Sequence, residues 1–175
     1  MTTSQIVTWA LAAVVIFWAV GAYNRLVGLR NALVRSFGTV EAQFRHRHAL
    51  LLRLADALAA SLAQTPQPVE ALRAACAQAD AACQRARGRP GATGLTTSLR
   101  LAEEILAAAR QRLPAEALGD AALAPLNAEL TAGDNTLAFA RRQFNERVEA
   151  YNRAARQFPT WLIAGLFRFR RAGTL

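Results

Sequence analysis

The first 24 residues carry no charged side chain, and Ile6 to Tyr23 (IVTWALAAVVIFWAVGAY) is an 18-residue apolar run. About 20 such residues cross a bilayer. A cleaved signal peptide would need a basic residue before the run and a clear break after it, and the chain has neither. A buried core helix would show a polar face, which this segment lacks. Residues 1–24 therefore read as a retained transmembrane anchor. Nothing basic precedes it, whereas Arg25, Arg30 and Arg35 follow within a dozen residues. By the positive-inside rule the N-terminus lies outside and the bulk of the chain in the cytoplasm. Trp9, Trp18 and Tyr23 are candidate interfacial rings.

Beyond Asn24 the apolar pattern turns periodic without a helix breaker. Leu26, Leu29, Leu33, Phe37, Val40, Phe44, His48, Leu51, Ala55, Leu58 and Leu62 recur at three- and four-residue steps, one face of a helix. One helix is thus expected from within the anchor to about Ala63, weakened but not ended at Gly28 and Gly38. QTPQP (64–68) is a turn, Val69 to about Ala86 a second helix, and RGRPGATG (87–94) a flexible-looking loop. A third helix runs from about Leu95 to Leu113, where Pro114 ends it. A linker with room for an extra turn follows. A long fourth helix is marked by Leu126, Leu130, Leu137, Phe144, Val148, Tyr151 and Phe158, with a repeat near 3.5 that predicts coiled-coil-like packing.

The expected fold is all-α. An N-terminal transmembrane helix continues into an antiparallel four-helix bundle over residues 25–158, with two long helices and two about half as long. The fourth helix returns the full distance to the membrane, so residues 159–175 become a membrane-proximal amphipathic tail. Its Trp161, Phe167 and Phe169 face the acyl boundary, and Arg168, Arg170 and Arg171 join Arg25, Arg30 and Arg35 among headgroups. Folding back onto the bundle is the alternative for this tail. The tetrapeptide AYNR occurs at 22–25 and again at 150–153. It suggests that Asn24 or Asn31 pairs in height with Asn145 or Asn152 and fixes the register of the two long helices.

The net charge is +9, and all 21 basic residues are Arg. Such a charge suits nucleic acid, an anionic membrane surface or an acidic partner. The arginines are spread over every helix, with no base-reading motif or aromatic platform, so no nucleic-acid partner is expected and membrane lipid is. Catalysis is not expected either. His46 and His48 diverge on their helix, Glu103 and Glu104 read as solvated, and Cys76 and Cys83 have no base beside them. Seven residues of helix also hold those cysteines roughly 10 Å apart, too far for a disulfide. No metal or cofactor is expected.

The segments YNRLVGLRNALVRSFGTVEAQFRHRHALLLRLADALA and GDNTLAFARRQFNERVEAYNRAARQFPTWLIAGLFRFR resemble the two ends of LemA family proteins. The chain departs from that pattern with Phe37 in place of a Trp, and with ALLLRLA (49–55) in place of D-L-I-P-N-L-V. Leu52 thus replaces a proline, and a straighter first helix is expected. The resemblance implies a single-pass bacterial inner-membrane protein with a cytoplasmic helical bundle, no known cofactor, and an association with envelope stress and proteolysis. Two functions are compatible with all of this. One is a non-enzymatic membrane-anchored scaffold or adaptor for a membrane protein partner. The other is a lipid-directed protein that binds or senses the anionic membrane surface.

Overall fold

The computed structural model describes residues 2–175. Six helices account for most of it: α1 (Thr3–Ser61), α2 (Gln67–Gly88), α3 (Thr93–Gln111), α4 (Ala115–Leu118), α5 (Ala124–Arg156) and α6 (Thr160–Leu166). A single 3-10 turn, Ala121–Leu123, leads into α5. Among the described residues the only β pairing is one isolated bridge between Ala92 and Ala172. The fold class is the one the periodicity predicts: a long apolar N-terminal helix continuing into an all-α bundle.

α1 is 59 residues long and has two environments. Its first part is bare, with Ile6, Val7, Trp9, Leu11 and Phe17 all more than half exposed. From Ala22 onward one face is buried, through Leu26, Leu33, Phe37, Val40, Phe44, His48, Leu51, Ala55 and Leu58. All but Ala22 belong to the predicted apolar face, of which Leu29 and Leu62 are only part-buried; Leu50 and Leu54 are buried in addition. α1 packs between α5 and α2, and α2 pairs with α3. Phe37 and Phe144 meet edge-on at 5.7 Å where α1 crosses α5. Each fully buried Leu or Phe of this kind contributes about 1.5–3 kcal/mol of hydrophobic stabilisation. Gly28 and Gly38 are exposed and leave α1 unbroken, because helix propensity is a small term beside that burial.

The punctuation acts where expected. Pro68 sits in the first turn of α2, and Pro114 follows the end of α3. The lengths need a small correction: α2, with 22 residues, is two thirds of the 33-residue α5, and α3, with 19, is somewhat over half of it. The short pair therefore covers α1 as far up as Leu33, against which Gly91 packs closely. Phe158 is not part of the α5 face, because that helix ends at Arg156 and the ring is 77% exposed. The loop after α2 is tied down, since Gly91 accepts a 2.8 Å hydrogen bond from the Gly173 amide.

Candidate functional site

The chain turns sharply after α5, through a cis Phe158–Pro159 bond, into α6. Ile163 and Ala164 of α6 are buried with Ala22 and Leu26 of α1 and Ala154 of α5 in a second, smaller core. The other face of α6 stays open: Trp161, Leu162 and Leu166 are exposed, beside the bare part of α1. α6 closes with the Arg168 amide on the Gly165 carbonyl and the Phe169 amide on the Ala164 carbonyl. Those two bonds require a left-handed residue between them, normally glycine, and here it is Arg168 at φ 54°. A non-glycine residue there costs roughly 1–2 kcal/mol.

Past Arg168 the tail doubles back along the bundle. The Asn152 side chain brackets Ala172, donating to its carbonyl at 2.8 Å and accepting from its amide at 2.9 Å. Asn145 brackets Leu175 in the same way, at 2.8 and 2.9 Å. Seven residues of helix span roughly 10.5 Å and three extended residues roughly 10 Å, so the two rows of groups match in spacing. The Tyr151 hydroxyl donates to the Arg170 carbonyl at 2.9 Å. Gly173 passes so close to α3 that a Cβ there would lie 2.5 Å from Thr96 Oγ1 and 2.9 Å from Thr93 Cα.

These contacts overturn the register role predicted for Asn24, Asn31, Asn145 and Asn152. Asn24 and Asn31 are exposed, while Asn145 and Asn152 hold the tail instead of facing them. An extended segment offers both amide and carbonyl, which one carboxamide satisfies at once. The tail is also not one continuous amphipathic segment. Its seven-residue helix leaves apolar groups open beside the bare part of α1, and its last residues fold back, with Phe169, Ala172 and Leu175 packed against the core. Phe167 remains exposed and packs at a tilt against Tyr23 at 4.8 Å, with Phe169 edge-on to the same ring at 5.8 Å.

Arg25, Arg30 and Arg35 do not act as one set. Successive members are rotated roughly 140° around the helix, so they face three directions. Only Arg30 reaches the tail arginines. With Arg87, Arg89, Arg168, Arg170 and Arg171 it lines a groove of about 740 Å³ walled by Tyr23, Tyr151, Phe167 and Phe169, and no carboxylate lines it. Arg87 lies 3.7 Å from Glu41, and among the described residues the other five have no carboxylate within ion-pair distance. Burial raises the Tyr151 hydroxyl above its ordinary pKa, which keeps it a donor.

A second groove, of about 760 Å³, lies between α3 and α5 and sets four arginines against three carboxylates. Glu103 is at its base. Arg47 Nη1 donates to it at 2.7 Å, His48 Nε2 lies 2.9 Å from its other oxygen, and Arg141 Nη2 is 3.5 Å away. Arg110 donates to Asp134 at 2.7 Å, and Arg47 Nε is 3.1 Å from Asp134 without an N–H aligned on it. The Arg141 guanidinium also sits 4.9 Å above the Phe44 ring. Burial pushes the Glu103 carboxyl up, but the His48 hydrogen bond and the Arg47 and Arg141 charges outweigh it and hold the group below the usual range. Arg141 is lowered, by burial first and then by Arg47, against the pull of Glu103 and Asp134.

The solvated reading of Glu103 is thus wrong, and a signal for it was present. Thr96, Leu99, Ala102, Leu106 and Ala109 form the buried face of α3, and Glu103 falls on that stripe while Glu104 falls off it. His48 is buried as the core histidine its position predicts. Cys76 and Cys83 are free and buried; burial pushes their thiols up to about 11 and about 12, so little thiolate exists near neutral pH.

The class that emerges is a helical bundle with one N-terminal helix long and apolar enough to cross a membrane: mean hydropathy 2.1 over its best window, 6% of it buried. The model of the LemA family matches residues 36–175, and the chain belongs to that family. The match starts within α1, past the apolar run. No curated protein and no solved structure matches the chain.

Proposed function

We propose that this LemA family protein is a single-pass, non-enzymatic adaptor. Its apolar run is anchored in the bacterial inner membrane, its N-terminus lies outside, and its bundle stands in the cytoplasm beside a membrane protein partner, in envelope stress or proteolysis. One observation carries the reading: α1 passes without a break from an apolar stretch that covers nothing into the centre of the bundle core. A rigid bundle on a continuous helix keeps a fixed height and orientation at the bilayer, which suits display of a surface to a neighbouring protein. Crosslinking in intact membranes followed by affinity capture tests this. A stoichiometric membrane protein partner is expected, and recovery of the chain alone removes the adaptor role. Protease added outside spheroplasts should leave residues 25–175 intact; digestion of the bundle would reverse the orientation.

A second, lipid-directed reading has its own support. Arg30, Arg168, Arg170 and Arg171, without a carboxylate in ion-pair distance, and the exposed Trp161, Leu162, Leu166 and Phe167 stand at the end where α1 becomes bare. Such a collar suits an interface with acyl chains below and anionic headgroups around it.

A further inference from the structure

We infer that the groove between α1, the end of α2 and the tail is a preformed site for the phosphate of an anionic lipid headgroup. The inference rests on the membrane-anchored reading and deepens the lipid-directed one.

Six arginines from three separate segments converge there without a carboxylate among the lining residues. Guanidinium groups repel one another, and planar N–H forks of this kind match phosphate oxygens. The other large groove, similarly rich in arginine, contains Glu103, Glu104 and Asp134. Arg87 has Glu41 at 3.7 Å; the other five arginines of the first groove are open to an anion from outside the chain.

Position selects the source. Tyr23 ends the apolar run and, with Phe167 and Phe169, walls the groove on the side of that run. From Tyr23 the floor extends along α1 to Leu33 and Val34, roughly 15 Å at 1.5 Å per residue. A Tyr23 at the acyl boundary sets the near part of the groove within the headgroup layer, which is roughly 5–7 Å deep on each side. The volume is that of a small-molecule pocket. The frame is also held in place. Arg170 is fixed through its carbonyl by Tyr151, Ala172 is bracketed by Asn152, and Arg168 occupies a left-handed position where glycine is the unstrained choice. An arginine kept at that position points to use of its side chain.

The test uses the full chain in mild detergent, with native mass spectrometry reading bound lipid. The probes are phosphatidylglycerol, a diphosphate lipid of the cardiolipin type and zwitterionic phosphatidylcholine, with inorganic pyrophosphate as a soluble competitor. Both anionic lipids should be retained at least about tenfold better than phosphatidylcholine. Replacing Arg170 and Arg171 together by Ala should lower retention roughly thirtyfold, from the usual contribution per arginine at a lipid surface. Replacing Arg153 and Arg156, exposed at the same end but outside the groove, should change it less than threefold. Arg168→Gly relieves the backbone, so it should fold at least as well while retaining roughly fivefold less anionic lipid. Equal losses in the two double variants would show diffuse attraction and overturn the site. Equal retention of phosphatidylcholine would do the same. Pyrophosphate that binds as tightly as lipid and displaces it would assign the groove to a soluble phosphate and overturn the lipid source. Alkaline extraction keeps the two claims apart: a chain released from membranes that still selects anionic lipid sinks the anchor alone. One that stays in the membrane without selecting lipid sinks the groove alone.

Discussion

The two large grooves of this bundle are built from the same residue type in opposite ways. Between α3 and α5, arginines surround Glu103 and Asp134, and most of the charge is matched inside the protein. At the other end, Arg30, Arg87, Arg89, Arg168, Arg170 and Arg171 gather with no carboxylate lining the space. The first arrangement is tied to the fold: its centre, Glu103 with Arg47 and His48, is buried and joins α1 to α3, while Arg110, Asp134 and Arg141 around it are part-exposed. The second has no carboxylate among its lining residues, and its charge is available to something outside.

That contrast predicts unequal costs. Glu103→Gln leaves Arg47 and Arg141 without their buried counter-ion and should destabilise the bundle by about 3–5 kcal/mol in chemical denaturation. A loss below 1 kcal/mol would show that the network is not structural. Its pH dependence has a definite sign. The folded carboxyl lies below its ordinary value, so its stabilisation is complete above that ordinary value and is lost as pH falls through the folded one. No carboxylate lines the arginine groove, so lipid selection should persist over a pH range in which the bundle weakens.

Gly173→Ala drives a methyl into the α3 backbone at Thr93 and should cost about 1–3 kcal/mol, with faster amide exchange in residues 168–175. An unchanged tail would mean that the close approach relaxes easily. Asn152→Ala removes two hydrogen bonds to Ala172 and should cost about 1–2 kcal/mol, loosening the tail before the bundle. Arg168→Gly is the smallest effect and has the opposite sign, a gain of about 0.5–1 kcal/mol in thermal stability. A loss there would mean that the Arg168 side chain packs for stability, and would weaken the contrast between the grooves.

Much of this architecture is legible in the chain itself. The α1 face from Leu26 to Leu58 was readable because helical burial repeats every three to four residues, and the turns because proline cannot continue a helix. The charged site was less readable. Glu103 sits on an apolar stripe, a local sign that something must neutralise it, but its partners Arg47, His48 and Arg141 lie 38 to 56 residues away. AYNR marked Asn152 as unusual without naming its partner, because a carboxamide can meet a neighbouring helix or an extended backbone equally well.

The sequence by itself determined a long helix with a bare apolar start, a helical bundle behind it and a greasy, arginine-rich end. Local periodicity and charge content suffice for those features. Only the tertiary structure decided which arginines are neutralised and which are left open, because ion pairing depends on distances between segments remote in the chain. It also decided that the tail divides at Arg168, with an apolar helix beside the bare part of α1 and an extended strip locked along α5. Two asparagines, two glycines and one left-handed arginine settle that division, and their effect exists only once α5, α3 and the tail lie side by side.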